Sequence, residues 1–214
     1  MRSYPQKSIK LSPLTVVSSF LFPLMISSSN LAHSTEFEIT PMLGYTYSPD
    51  LVNAERSGDS SVSNNANFSL ALAWQETSSQ RKPSQGQGQV LINYVNRDFT
   101  DSTGTSHDFD TLYTHFSGVT FIEEPSYITT FGVGVGAAHF NSDYDNATYF
   151  SLTTAIGTRH NISDNLSFIT EVRAYATLVD EDEQLFCQSG TCFAYFNGSF
   201  WLDTNISLGV AYSF

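Results

Sequence analysis

His115 and Ser117 are the first residues whose types and spacing suggest chemistry. In an extended strand, residues i and i+2 project from one face, so this spacing sets an imidazole beside a hydroxyl. With a carboxylate behind the imidazole, such a pair can activate the hydroxyl as a nucleophile. No acid stands at a spacing that assigns it that place, and the other reading is a histidine of the protein's interior or rim. A second set is made of charges: Glu38, Arg97, Arg159, Glu171, Arg173 and Asp203, each on the polar face of its strand. Enclosed charges must pair or stay hydrated. They are therefore either an ion-paired plug that holds a shape or the lining of a gated polar path for small solutes. A third set is the acidic run Asp180, Glu181, Asp182 and Glu183. Carboxylate clusters suit divalent cations, but the chain has no Asp-x-Asp-x-Asp-Gly loop, so the alternative is a solvated acidic rim. Finally, Cys187 and Cys192 are separated by four residues. In an exported chain they pair as a disulfide, either as a rigid recognition tip or as protection against proteolysis; in a reducing compartment they stay free thiols. No further Cys or His stands at ligand spacing, so no metal centre is expected, and no motif calls for a cofactor.

The elements that must position these residues are strands. Apolar and polar residues alternate with a period of two along eight stretches, and helical periodicity is scarce. The stretches are Glu36–Tyr47, Asn67–Glu76, Gly88–Asp98, Phe109–Ile122, Tyr127–Phe140, Thr148–His160, Leu166–Val179 and Ser199–Phe214. The last is the plainest: Phe200, Leu202, Ile206, Leu208, Val210, Tyr212 and Phe214 face one way, and Trp201, Asp203, Asn205, Ser207, Gly209 and Ala211 the other. The fourth stretch is mixed on both faces, and its outward side is not assigned. In the fifth, Gly132, Gly134, Gly136 and Ala138 form a small-residue column, which makes room for large neighbours or leaves a gap. These stretches are longer than ordinary globular strands and match tilted strands that cross a membrane. Long or acidic connections alternate with shorter ones, which places both termini at the end of the short turns.

Composition narrows the class. The first 34 residues combine a basic start (Arg2, Lys7, Lys10), an apolar stretch from Leu14 to Ile26 and small residues at Ala32 and Ser34. That is the pattern of a cleaved secretory signal, too short in its apolar core to span a membrane as a helix. Without its three basic residues, the remainder has six basic against 21 acidic residues, a net charge of −15. A surface so acidic excludes the basic footprint of nucleic-acid binding. No later stretch is long and apolar enough for a membrane helix, so any crossing must be made by a closed barrel. A soluble barrel alternates too, but hides its apolar face inside. The aromatics Tyr45, Tyr47, Trp74, Tyr94, Tyr212 and Phe214 near strand ends favour the membrane form, as interfacial girdles.

The final segment, Asn205-Ile-Ser-Leu-Gly-Val-Ala-Tyr-Ser-Phe214, resembles the C-terminal targeting signal of outer-membrane proteins, with Ser207, Gly209, Tyr212 and Phe214 at its marked positions. The resemblance implies recognition by the barrel-assembly machinery. Over residues 36–214 the pattern resembles the eight-stranded OmpA-transmembrane, OmpX and OmpW-like outer-membrane proteins of Gram-negative bacteria. His115-Phe-Ser117 is also similar to the His-x-Ser motif of lipid A deacylase barrels, although Gly118 stands where that family has Asn.

The expectation is an all-β chain: a signal peptide over 1–34, then an eight-stranded antiparallel up-and-down transmembrane β-barrel over 35–214. It is expected in the bacterial outer membrane after Sec-dependent export. Its partners would be outer-membrane lipid, lipopolysaccharide and divalent cations, with no nucleic acid and no cofactor. A non-enzymatic structural or surface-interaction role is expected, with a narrow channel and a deacylase-like enzyme as alternatives.

Overall fold

The structure, a computed structural model, describes residues 34–55, 58–77, 86–181, 184–188 and 190–214. The expected signal peptide lies outside them except for Ser34, and so does most of the Thr77–Gln87 connection. Eight long strands form the wall: β1 Ser34–Tyr47, β2 Asn65–Thr77, β3 Gly86–Thr100, β4 Ser106–Glu123, β5 Ile128–Ser142, β6 Asn146–Asn161, β7 Leu166–Leu178 and β8 Phe200–Ser213. Each pairs antiparallel with its neighbours in sequence, and β1 closes on β8. Among the described residues, no helix is long and apolar enough to cross a membrane.

The register fixes the barrel's shape. A circuit from Phe37 passes Trp74, Gly88, Gly118, Val133, Thr154, Ala174 and Thr204, and returns to β1 at Tyr47. That displacement of ten residues over eight strands tilts the strands by about 40° and leaves an interior just wide enough for side chains.

Alternation decides which face is outside. The apolar row is the exposed one: Leu43 is 69% exposed, Phe200 66% and Phe131 48%. Polar residues such as Thr46, Asn93, Ser151 and Asn205 are buried in the interior. A soluble barrel would carry these faces reversed, so the wall is built to meet hydrocarbon. Inward polar groups satisfy one another: Asn93 Nδ2 donates to Ser69 Oγ at 2.6 Å, and Asn67 Nδ2 to Thr46 Oγ1 at 2.8 Å.

The mixed faces of β4 are now ordered. His107, Phe109, Thr111, Tyr113, His115 and Ser117 point inward, while Leu112, Phe116 and Ile122 point out. Several strands run past their predicted ends; β3 starts at Gly86 and β5 continues to Ser142. Pairing carries them on, because backbone groups at the rim bond their neighbours whatever the side-chain pattern.

Two places in the wall depend on unusual residues. Phe37 and Phe214 exchange backbone hydrogen bonds, so every second residue of β1 from there should bond β8. Pro41 falls on that phase opposite Val210, where the ladder between β1 and β8 is interrupted. Its missing N–H leaves the closing seam one bond short. In β5, a Cβ at Gly136 would collide with the Thr114 carbonyl oxygen, and one at Gly134 with Ser117 Oγ. Gly134 and Gly136 therefore serve close approach of β4 and β5.

Candidate functional site

The six charged residues of the interior form three ion pairs stacked along the barrel. Nearest the long loops, Arg97 Nη1 lies 2.9 and 3.0 Å from the Asp203 carboxylate oxygens, and both side chains are fully enclosed. Tyr113 Oη donates to the same carboxylate at 2.5 Å, and Arg97 Nη1 donates to Ser48. The guanidinium also stands over Phe109 at 5.2 Å and Trp201 at 5.7 Å. Because β1 and β2 separate β3 from β8 around the barrel, this pair ties non-adjacent walls across the lumen. At mid-height, Arg173 Nε and Nη2 meet Glu171 at 2.7 and 2.9 Å, and Nη1 reaches Thr153 Oγ1 at 3.3 Å. Near the short turns, Arg159 pairs with Glu38, which also accepts from Ser213 Oγ at 3.2 Å.

His115 and Ser117 share the lumen face of β4, with His115 only 1% exposed. Among the described residues, neither imidazole nitrogen nor the Ser117 hydroxyl has a hydrogen-bond partner. Among the described residues no hydrogen bond joins His115 to Ser117, and both face the lumen, on the other side of the wall from the exposed apolar row. His115 instead packs beside Tyr175, whose ring stacks on Tyr113 at 4.2 Å.

The largest feature that the pattern of strands did not reveal closes the loop end. Phe99, Phe109, Phe140 and Trp201 point inward from the ends of their strands, and the loop between β7 and β8 inserts Phe186 and Phe196 among them. Their rings meet edge to face: Phe99–Phe186 at 5.0 Å, Phe140–Phe196 at 5.5 Å and Phe196–Trp201 at 5.6 Å. Such arrangements favour aromatic pairs beyond simple burial. Leu51, Val62 and Leu185 complete this core. The signal for it was present in the sequence: these strand aromatics sit on the polar parity of their strands, and only near the loop end.

The loops over this core are ordered by their own pairing. Leu51–Asn53 pairs with Asp59–Ser60 and with Ala194–Tyr195, so the first and last long loops share a small sheet. These connections, predicted as loops, carry strands because their backbones find partners in each other. Cys187 and Cys192 are disulfide-bonded across a two-residue ribbon whose turn holds Gly190 at a φ of 84°, a conformation natural to glycine. Ser142 Oγ donates to the Leu185 carbonyl at 2.6 Å, tying in a third loop. The fourth is gathered by Asp101, whose Oδ1 accepts from Thr103 N at 2.8 Å, Thr103 Oγ1 at 2.7 Å and Thr105 N at 2.9 Å. These bonds, the Thr103 hydroxyl foremost, hold the Asp101 carboxyl well below the usual carboxylate range, against the desolvation that opposes them. His107 bridges Asp101 Oδ2 at 3.1 Å and Tyr144 Oη at 2.6 Å, and packs against Phe193 at 4.5 Å.

Of the acidic run, Asp180 and Glu181 are exposed, and Asp182 and Glu183 lie outside the described residues. Among the described residues, no group of three or more acidic, His or Cys side chains is arranged to hold a metal ion. Ser207 and Gly209 face the lumen, whereas Tyr212 and Phe214 stack on each other at 6.3 Å on the outer wall.

In fold the chain is similar to Neisserial surface protein A, with a TM-score of 0.51 at 12% identity over 86% of this chain and 100% of that one. Ail of Yersinia pestis, solved with the heparin analogue sucrose octasulfate, aligns with a TM-score of 0.42 at 15% identity, covering 83% and 99% of the two chains. The N-terminal β-barrel domain of Pseudomonas aeruginosa OprF gives 0.42 at 10% identity, covering 85% and 99%. No known protein family and no curated protein matches by sequence. With its closed eight-stranded wall and apolar exterior, the chain has the fold of the small outer-membrane β-barrels.

Proposed function

We propose that this chain is an integral protein of a bacterial outer membrane, exported on a cleaved signal peptide over residues 1–34, and that it catalyses no reaction. Its role is structural or in surface interaction, exercised through the face made by its loops. The observation that carries this reading is the aromatic core at the loop end. It fills the barrel mouth and fuses the loops into one platform, so that the loops are a built surface and the lumen is not a through-path.

The platform is acidic. Asp50, Glu55, Asp59, Asp143, Asp145, Asp180 and Glu181 all lie in its loops. Below it, Asp98, Asp108 and Asp110 stand on the outer wall beyond Tyr94, and Asp98 and Asp108 are register partners. At that height a membrane barrel meets lipid headgroups. Anionic lipopolysaccharide bridged by divalent cations is the partner such carboxylates suit.

Planar-bilayer recording of refolded protein tests the closed lumen. We expect no stable unitary conductance, and regular conductance steps would overturn the reading. Retention of lipopolysaccharide on the purified barrel tests the partner. We expect retention to fall on chelation of divalent cations and in an Asp98→Asn/Asp108→Asn/Asp110→Asn variant; retention unchanged by both would refute it.

A further inference from the structure

The apolar wall ends at one height towards the short turns and at unequal heights towards the loops. Each step of the circuit from Phe37 to Tyr47 climbs about 3 Å towards the loops, and each residue along a tilted strand about 2.5 Å. On that scale the lower edge is level: Phe37, Ile122, Leu166 and Phe214 lie within about 3 Å of one height. The upper edge is stepped. On β7 and β8 the outward row continues to Leu178 and Phe200, about 30 Å above Phe37, and both are exposed. At that same height β3 and β4 carry Asp98 and Asp110. The last apolar residues beneath these acids, Tyr94 and Leu112, stand only about 21 and 24 Å above Phe37.

No orientation of the barrel fits both edges to a bilayer of uniform thickness. A tilt that levelled the upper edge would raise Ile122 and lower Leu166, leaving the lower edge uneven. In an upright barrel, a flat bilayer reaching Phe200 draws Asp98 and Asp110 into hydrocarbon. One that stops at Leu112 leaves Phe200 and Leu178 in water. Both are unfavourable, whereas a bilayer yields to mismatch at a modest cost per ångström. The bilayer is therefore the part that deforms.

We propose that the barrel imposes two thicknesses on its membrane: the loop-side leaflet is thinner by roughly 10 Å beside β3 and β4 than beside β7 and β8. The partner of the β3–β4 face is a thinned lipid leaflet, with its headgroups drawn down to Asp98 and Asp110. This rests on the reading of the chain as a membrane-spanning barrel, and it is independent of what the loops meet.

The depth of tryptophan probes in vesicles tests it. Four variants place a probe on the outer wall in a Trp74→Phe background: Leu112→Trp and Leu202→Trp near the upper edge, Ile122→Trp and Leu166→Trp at the lower. Trp201 is 1% exposed inside the lumen and contributes the same background to each. Heat-modifiable gel mobility confirms folding, and phosphatidylcholine brominated at known chain positions reads depth by quenching. Leu112→Trp should lie about 5 Å nearer the headgroups than Leu202→Trp, because Phe200 adds one outward position above Leu202. A flat bilayer gives the opposite order, since Leu202 stands about 2–3 Å higher on the barrel than Leu112. The lower pair should read equal depths. Extending the short wall with Asn96→Leu/Asp110→Leu should carry the Leu112→Trp probe about 5 Å deeper. Equal depths or the opposite order at the upper edge, unequal depths at the lower edge, or a Leu112→Trp probe unmoved by the extension would each overturn the proposal and leave the membrane reading intact. Probes that no brominated lipid quenches would overturn both.

Discussion

Replacing Asp203 tests whether the ion pairs hold the barrel together or merely occupy it. Asp203 is fully enclosed, accepts two contacts from Arg97 at 2.9 and 3.0 Å, and accepts one from Tyr113 at 2.5 Å. Asp203→Ala leaves the Arg97 charge enclosed without a counter-charge, and breaking a buried pair in this way costs about 3–5 kcal/mol. Asp203→Asn keeps one acceptor oxygen and should cost about 2–3 kcal/mol, the worth of hydrogen bonds made to a charged group. Removing both charges, as Arg97→Met/Asp203→Leu, should recover most of the loss, because nothing is left unpaired. Glu171→Gln should cost about 1.5–2 kcal/mol, the low end for hydrogen bonds made to a charged group, since Gln keeps one acceptor and Arg173 keeps its Thr153 contact. Urea unfolding in lipid vesicles, followed by tryptophan fluorescence, measures all four, with Trp201 reporting directly from beside Arg97. If the double variant is as unstable as Asp203→Ala, or if Asp203→Ala costs no more than Glu171→Gln, then the pair does not staple the walls.

Three other perturbations separate the parts of the structure. Pro41→Thr restores the donor facing Val210 and should stabilise the closing seam by about 1 kcal/mol, with slower amide exchange in β8; unchanged exchange there would deny the missing bond. Asp101→Ala should expose the amides of Thr103 and Thr105 to exchange at every pH. In the parent, the depressed Asp101 carboxyl contributes fully above the ordinary aspartate pKa of about 4, and its contribution is lost progressively as pH falls from there through the lower folded value, so protection should be constant from neutrality to about pH 4 and decline below it. Expression of the chain, or of His115→Ala, should leave the mass of host lipid A unchanged, and a deacylated product that vanishes in the variant would establish the enzyme reading.

The wall was legible because lipid imposes a period of two. Most outward positions are apolar, so Leu202, Ile206, Leu208 and Val210 announce β8 without knowledge of any neighbour. The fourth strand defeated that logic for a physical reason. Its inward side carries Phe109 and Tyr113, and its outward side carries Thr114 and Gly118, so neither face is uniformly apolar. Phe109 belongs to the loop-end core and Tyr113 to the Asp203 network, both of which are made by residues far away in sequence. Which charge meets which is equally invisible to a local pattern. Arg97 and Asp203 are 106 residues apart, and only closure of the barrel brings them together. Glu171 and Arg173, two residues apart on one strand, are the exception.

The same division separates the fold from the function. Lipid dictates the outward residues, and the requirement is alike for any barrel of this size. The inward residues answer to one another, and here they answer unequally along the axis. Toward the loops they become aromatic, exclude water and make the mouth part of the surface platform. Toward the short turns they become acidic and leave space. At one mouth Phe186, Phe196 and Trp201 fill the lumen beneath the loops, and at the other Glu36, Glu38 and Glu123 line open space.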